Sequence, residues 1–316
     1  MTSLIGDAPV DGVDVAALLG IPISAEQERA VQAPLKPCAV IAGAGTGKTT
    51  VMAARVVWLV ASRLVSPEEI LGLTFTNKAT AELSERIESN LTRVGLLTSE
   101  QPRPTVATYD SFAGTLVNDY GAWDGINTGA HLITAARAYQ LAAEVIMGLN
   151  KAPLAATHMG PTFIAQAVVK LAGAMASHDA SPGKVRRADA RWRQMLLDAP
   201  TKRGGDRYAD IDKWLSRVDE REELLDLVAA YQNLKKERGL VEFGDRMVQA
   251  LHLVTHHPRV GEELRARYRV VLLDEYQDTS SAQADVLAAL FSGPDSAHGM
   301  GHPVMAVGDP RQVIYE

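Results

Sequence analysis

The segment Ala42-Gly43-Ala44-Gly45-Thr46-Gly47-Lys48-Thr49 constrains the fold of this 316-residue chain more than any other. It follows an apolar run at 38–42 and precedes residues 49–64, whose apolar positions recur with helical spacing. It matches the pattern G-x-x-x-x-G-K-[ST], except that alanine takes the first position. Glycines at a strand-to-helix junction let backbone N–H groups curl around phosphates. The segment therefore predicts a phosphate-binding loop, in which the lysine contacts phosphates and the final threonine hydroxyl binds Mg²⁺.

A second apolar run, at 270–273, ends in two adjacent carboxylates, Asp274 and Glu275. In a phosphoryl-transfer site one carboxylate holds Mg²⁺ and another orients the attacking water. Asp274 suits the first role and Glu275 the second. By itself this pattern is more often a solvated strand end, but a phosphate loop on the same sheet favours the catalytic interpretation.

The order of strand-like and helical segments predicts an α/β fold. Five apolar runs are typical of buried strands, at 38–42, 70–75, 105–108, 269–273 and 303–307. Because they alternate with helical segments, we expect a parallel sheet with crossover helices. Between residues 112 and 239 strand signals vanish, and helices are predicted at 131–147, 161–175 and 210–238, with breaks at 181–183 and 204–206.

These segments predict an all-helical domain inserted into the α/β domain. Residues 1–23 are expected to form a loose leader, 24–115 the first part of the α/β domain, 116–238 the helical insertion and 239–316 the second part of the α/β domain. Ser24 and Gln27 have the spacing of a capping box at the start of a helix over residues 25–31.

Composition narrows the class of protein only slightly. The net charge of −6 gives no sign of nucleic-acid binding, so any DNA contact must come from a local surface. The single cysteine, Cys38, permits no disulfide framework and fits a reducing cytoplasm. The sequence has neither a signal-peptide pattern nor an apolar run near the roughly 18 residues of a membrane span. We therefore expect a cytoplasmic protein without membrane contact.

Several further segments carry a family resemblance. Residues 274–279 closely resemble motif II of the UvrD/Rep/PcrA-type superfamily 1 helicases, and residues 73–79 resemble their motif Ia. Residues 307–315 resemble motif III, and residues 241–245 resemble the segment that precedes motif II. With the phosphate loop, these elements follow the family's order over residues 24–316. Details such as Asp-Glu-Tyr-Gln and Gly-Asp-Pro resemble the AdnB-like helicase–nuclease subgroup.

The resemblance implies an ATP-dependent 3′–5′ DNA helicase of RecA-like fold, in which the inserted helices form subdomain 1B. It implies that Gln27 reads the adenine edge and that Gln312 senses the γ-phosphate. Single-stranded DNA would follow a path marked by four residues, Phe75, Asn77, Tyr109 and Tyr315. Stacking of bases on aromatic rings is sequence-tolerant, as a translocase requires. A role in DNA repair or recombination is implied at the level of the family alone.

The sequence departs from the family pattern at four positions. Thr50, the last of the predicted nucleotide-binding residues, stands where several members carry an adenine-stacking arginine. Asp110, in the segment resembling motif Ib, stands where histidine is usual, and a carboxylate is unfavourable beside a DNA backbone. Val313 replaces a small residue, and Glu316 stands where glycine or arginine is common.

The family's motor has two RecA-like halves with ATP between them, and its arginine fingers belong to the second half. The sequence stops at Glu316, inside motif III, so we expect it to carry the first half only. An arginine finger supplies a rate factor of about 10³–10⁵, so hydrolysis by this chain alone should be slow or absent. A partner chain could supply the second half.

Two other functions remain open from the sequence. The chain could be a non-catalytic fragment that binds nucleotide and DNA, or a P-loop enzyme of another class, such as a kinase. The segments resembling motifs Ia and III argue against the kinase. His252 and His256 have zinc-like spacing, but further ligands are not evident. The basic segment at 180–210 is interpreted as a solvated face with acids nearby, in preference to a DNA-binding surface.

Overall fold

The computed structural model describes residues 12–43, 45–150, 153, 160–202 and 205–312. Within them lie seven strands: β1 (Cys38–Ile41), β2 (Ile70–Thr74), β3 (Thr105–Thr108), β4 (His131–Leu132), β5 (Leu240–Val241), β6 (Val270–Leu273) and β7 (Val304–Gly308). The same residues contain twelve α-helices: α1 (Val15–Leu19), α2 (Ala25–Val31), α3 (Lys48–Ala61), α4 (Asn77–Arg93), α5 (Tyr109–Tyr120), α6 (Ala135–Met147), α7 (Pro161–Ser177), α8 (Pro182–Leu197), α9 (Ala209–Glu237), α10 (Phe243–His256), α11 (Pro258–Arg267) and α12 (Ser281–Phe291).

Five strands form one parallel sheet in the order β1-β7-β6-β2-β3. Strands β2 and β6 are buried at every position, as expected for central strands covered on both faces. Their continuous apolar runs therefore predicted both their type and their place in the sheet. The predicted α/β fold with a parallel sheet is confirmed, and it is that of a RecA-like domain.

Two compact units make up the chain. One comprises residues 1–120 and 250–316, and the other comprises residues 121–249. The first unit holds the five-stranded sheet. In the second, α6, α7 and α9 enclose an apolar core around Leu141, Val168 and Leu225, while α8 packs along α9. Where the structure describes the chain, no helix is both long and apolar enough to cross a membrane.

Three sequence-based expectations were wrong in detail. Residues 131–132 begin no helix but form β4, which pairs with β5 in a two-stranded parallel sheet. The predicted break at 181–183 does interrupt the helices, but it is also the start of α8, a helix that was not predicted. Ser181 caps this helix and Pro182 takes its first position, where proline is tolerated. The predicted loose leader contains α1, capped by Asp14, which buries Val15 and Leu19 in the core.

The predicted capping box at Ser24 and Gln27 is confirmed at the start of α2. Arg55 of α3 holds the other end of that helix. Arg55 is 1% exposed, and its guanidinium donates hydrogen bonds to the carbonyl oxygens of Val31 (2.9 Å) and Ala33 (2.7 Å). The last carbonyls of a helix have no partner within it and are stabilised by a cation. Arg55 therefore fixes α2 against α3.

We predict that Arg55→Met lowers the free energy of unfolding by roughly 3 kcal/mol, because buried carbonyls lose charged donors. Urea denaturation followed by circular dichroism measures the change. Arg93→Met, which removes an exposed arginine from the last turn of α4, serves as the matched control and should change stability by less than about 0.5 kcal/mol. Equal effects of the two substitutions would contradict the assigned role.

Candidate functional site

The predicted site residues converge because all five strands of the main sheet are parallel. The phosphate loop follows β1, and residues 274 and 275 follow β6. The segment resembling motif Ia follows β2, that resembling motif Ib follows β3, and residues 309–312 follow β7. Parallel strands end at one edge of a sheet, which is where ligands of open α/β sheets bind. One edge therefore collects the predicted groups that follow these strands.

Backbone conformation in the phosphate loop depends on its glycines. Gly45 and Gly47 have φ of 73° and 81°, a region that favours glycine, and Gly47 directly precedes α3. The loop is also held internally, since the Thr46 hydroxyl donates to the carbonyl oxygen of Gly43 at 2.8 Å. Ala42 donates its N–H to Gly308 at the end of β7. Ala44, also predicted to bind nucleotide, lies outside the described residues.

Gln27 lies against this loop. Its side-chain oxygen accepts from the N–H of Ser24, and its side-chain nitrogen donates to the carbonyl oxygen of Thr46 at 3.0 Å. A Cβ added at Gly47 would lie 3.2 Å from that nitrogen, so a larger residue there would press on Gln27. The capping box thus places a side-chain amide beside the start of α3.

Lys48 meets the acidic end of β6. Its Nζ donates to Oε2 of Glu275 at 2.8 Å, and only 11% of the lysine side chain is exposed. Glu275 accepts a second hydrogen bond from Nε2 of Gln277, also at 2.8 Å. Partial burial raises the pKa of Glu275, but the hydrogen bonds from Lys48 and Gln277 outweigh it and hold the pKa below its ordinary value. Glu275 is thus held as a carboxylate.

Asp274 has the opposite electrostatic environment. It is 5% exposed, and burial together with the adjacent charge of Glu275 raises its pKa to about 6. The next residue, Glu275, has φ of 46°, a conformation uncommon for non-glycine residues. Such backbone strain is found mainly where the surrounding structure fixes a functional group. The turn after β6 therefore holds a buried carboxyl group in an enforced geometry.

These residues fit Mg²⁺-bound ATP. The donors predicted for the metal, the Thr49 hydroxyl and the Asp274 carboxylate, are the oxygen ligands that Mg²⁺ prefers. A divalent cation would also offset the charge repulsion that raises the pKa of Asp274. The glycine conformations leave the backbone of the loop without side chains that would obstruct phosphates. Within the described part of the chain, no group of three or more His, Cys, Asp or Glu residues could hold a metal ion.

Gln277 links motif II to the segment after β7, a role that the sequence did not predict. Its Oε1 accepts from the N–H of Asp309 at 3.0 Å, while its Nε2 holds Glu275. Gln312 is turned onto the same segment, since its Nε2 donates to Asp309 Oδ2 at 2.5 Å. A Cβ at Gly308 would come within 2.3 Å of Gln277 Oε1, so this link requires glycine at 308.

Arg86 of α4 is a second residue that the sequence analysis missed. Its Nη1 donates to the Thr50 hydroxyl at 2.9 Å, and its Nη2 pairs with Glu82. The sequence lacks an arginine at position 50, yet the fold brings a guanidinium to that threonine from 36 residues away. No local pattern could have revealed this, since the contact depends on how α3 and α4 pack.

Four residues were predicted to lie along the DNA path. Asn77 is exposed at the start of α4, and Phe75 is half-buried just before it. Tyr109 is only 3% exposed, and its hydroxyl donates to the backbone carbonyl oxygen of Asp274 at 3.0 Å. The buried Tyr109 therefore does not offer the DNA contact that was predicted for it. Tyr315 lies outside the described residues.

The histidine pair and the basic segment at 180–210 make contacts within the protein. The rings of His252 and His256 stack with centroids 3.9 Å apart. Two arginines of α8 pair with acids, since Arg186 contacts Glu222 and Asp226, and Arg193 contacts Asp219. This pairing agrees with the interpretation of the 180–210 segment as a solvated face.

Comparison with known proteins gives a consistent result. DNA helicase II of Rickettsia typhi is 28% identical over 296 residues, which cover 93% of this chain and 38% of that protein. ATP-dependent DNA helicase UvrD1 of Mycobacterium tuberculosis is 28% identical over 312 residues, or 98% of this chain and 35% of that protein. The chain thus spans little more than a third of the length of these relatives.

The family model for the UvrD/REP helicase N-terminal domain matches residues 23–316, nearly the whole chain. The matched residues include the phosphate loop, the acidic end of β6 and the segment after β7. This chain therefore belongs to the UvrD/REP helicase N-terminal domain family.

Proposed function

We propose that this chain binds Mg²⁺-bound ATP at the carboxyl edge of its sheet and acts as the first motor half of an ATP-dependent 3′–5′ DNA helicase or translocase. The contact between Lys48 and Glu275 is the observation that carries this proposal. It brings two groups, predicted independently from segments 227 residues apart, to hydrogen-bonding distance. Single-stranded DNA is the proposed substrate, and DNA repair or recombination the proposed setting.

The proposed roles follow from the chemistry of each side chain. Residues 42–50 form the nucleotide site, with Gln27 at the adenine. Thr49 and Asp274 would hold Mg²⁺, which would neutralise phosphate charge. Glu275 would orient the attacking water, and Gln312 would respond to the γ-phosphate.

Nucleotide binding would change the Lys48–Glu275 contact. A triphosphate offers Lys48 a more highly charged partner than one carboxylate. Once Lys48 turns to the β and γ phosphates, Glu275 loses its strongest donor and keeps the bond from Gln277. Both bonds end on Oε2 of Glu275, so the loss of the lysine leaves that oxygen with one donor and able to accept from water. In this proposal, nucleotide binding itself prepares the water-orienting group.

The proposed DNA path lies beside the ATP site. Thr74 at the end of β2 is in register with Thr108 at the end of β3, while Leu73 is in register with Leu273, next to Asp274. Phe75 and Asn77 follow β2 and therefore lie close to the acidic turn. Bases that stack on Phe75 would be held without regard to sequence.

We expect turnover to depend on a second motor domain. The family resemblance places the arginine fingers in a second motor domain, and the chain spans just over a third of the length of its relatives. A second domain, in the same polypeptide or in a partner chain, would supply them. The AdnB-like subgroup stays a prediction from the sequence.

We predict that Lys48→Ala lowers affinity for ATP roughly ten- to hundredfold, the effect of losing a hydrogen bond to a charged group. Titration with a fluorescent ATP analogue and Mg²⁺ measures the change. Lys36→Ala, which removes an exposed lysine ahead of β1, is the matched control and should bind as the parent does. An unchanged affinity in Lys48→Ala would reject the phosphate-loop assignment and the proposed function with it.

Glu275→Gln should preserve ATP affinity or raise it slightly, because the substitution removes a negative charge that competes with phosphate for Lys48. Any ATP hydrolysis shown by the parent, with or without single-stranded DNA, should fall to the level of Lys48→Ala. Phosphate release measures turnover. Hydrolysis at the parent rate in Glu275→Gln would exclude Glu275 as the water-orienting residue. ATP binding without turnover in the parent would favour a nucleotide-binding half that needs a second domain.

Phe75→Ala should weaken binding of single-stranded DNA by roughly 5- to 150-fold, since one stacked base contributes about 1–3 kcal/mol. The factor should be equal for oligothymidine and for mixed-sequence oligonucleotides, as measured by fluorescence anisotropy. Phe163→Ala, which removes a phenylalanine that is 60% exposed on α7, is the control. If both variants bind DNA equally well, the proposed path is wrong.

A further inference from the structure

Two adjacent residues at the start of α5 hold the acidic turn that follows β6. The first, Tyr109, directly follows β3 in the chain. Its hydroxyl donates across β2, the neighbouring strand, to the carbonyl oxygen of Asp274 after β6. The ring is 3% exposed, so water cannot readily replace the bond. A buried carbonyl that loses its donor is destabilised, and this favours one position of the Asp274 backbone.

The second residue, Asp110, holds the far end of the same turn. Its Oδ1 accepts from Nε2 of Gln283 at 3.1 Å. Gln283 closes the capping box of α12, because its Oε1 accepts from the N–H of Ser280 and its own N–H donates to the Ser280 hydroxyl. Asp110 therefore fixes the side chain of Gln283, which caps α12 directly after the acidic turn.

The segment between these two anchors contains Glu275 with its strained backbone, at φ of 46°. A strained conformation persists only where its surroundings enforce it. On the other side of the anchors, the register of β2 with β3 places Phe75 and Tyr109 at neighbouring strand ends. A shift of α5 relative to β2 would therefore be transmitted to the carbonyl of Asp274 through a single hydrogen bond.

We propose that Tyr109 and Asp110 are positioning residues that couple occupancy of the single-strand path to the geometry of Asp274 and Glu275. This inference rests on the proposed function, since it takes ATP and DNA as the two ligands. It also accounts for the carboxylate at 110, which is engaged by Gln283 rather than presented to a DNA backbone. Two ligands coupled in this way must raise or lower each other's affinity by the same factor.

The test measures that factor with binding alone. The dissociation constant for an oligothymidine is determined by anisotropy, with and without a saturating non-hydrolysable ATP analogue and Mg²⁺. The ratio of the two constants is the coupling factor, and coupled sites commonly show roughly 5- to 150-fold. A uniform loss of DNA affinity leaves the ratio unchanged, so a merely structural defect does not imitate the expected result.

Tyr109→Phe removes only the hydroxyl, and Asp110→Ala removes the acceptor for Gln283. Both should bring the coupling factor at least threefold closer to 1. Asp110→Asn keeps an oxygen acceptor and should restore the parent value. Two substitutions serve as matched controls and should also keep it: Tyr139→Phe removes a hydroxyl bonded to the carbonyl of Thr162, and Asp119→Ala removes an exposed carboxylate from α5.

Parent-like coupling in Tyr109→Phe and Asp110→Ala would overturn the proposal, as would a parent whose DNA affinity does not respond to nucleotide. If Asp110→Ala and Asp110→Asn both strengthen DNA binding at unchanged coupling, Asp110 acts by charge repulsion and the proposal is wrong.

Hydrogen exchange separates failure of this proposal from failure of the proposed function. Without any ligand, peptides covering residues 274–283 should exchange faster in Tyr109→Phe than in the parent. A parent that binds neither ATP nor DNA would reject the proposed function, whereas unchanged exchange in Tyr109→Phe would reject the anchoring role by itself.

Discussion

The ion pair between Lys48 and Glu275 is the interaction on which the whole site depends. It joins the start of α3 to the end of β6, although β7 lies between β1 and β6 in the sheet. The pair can form because the parallel strands end at one edge, so that a loop after one strand reaches the turn after another. Gln277 extends the contact to Asp309 after β7, and three strand ends are thereby connected through one carboxylate.

Much of the fold was predictable because a strand that is buried on both faces has a continuous apolar sequence, as β2 and β6 do. The two-residue strands β4 and β5 are too short to leave such a pattern. Serine, proline and glycine at 181–183 are compatible both with a loop and with the start of a helix. Only the spacing of apolar residues after position 183 distinguishes the two.

Some residues of the site could likewise be predicted from the local sequence, whereas others depend on contacts between distant segments. Lys48, Asp274 and Glu275 stand in segments whose residue types reveal their chemistry. The roles of Arg86, Gln277 and Tyr109 come from side chains that meet across the fold, with Tyr109 contacting a residue 165 positions away. The family resemblance implied a DNA contact for Tyr109, but the ring is buried and its hydroxyl donates to the backbone carbonyl oxygen of Asp274.

The electrostatics of the two acidic residues favour a site that becomes competent only when it is filled. Burial and the adjacent charge of Glu275 raise the pKa of Asp274 to about 6, so the ionised form of this group is disfavoured. Glu275 is stabilised as a carboxylate, but by the same lysine that a triphosphate would claim. Binding of the nucleotide with its metal would therefore stabilise the charge of Asp274 and, in the same event, free Glu275 from Lys48.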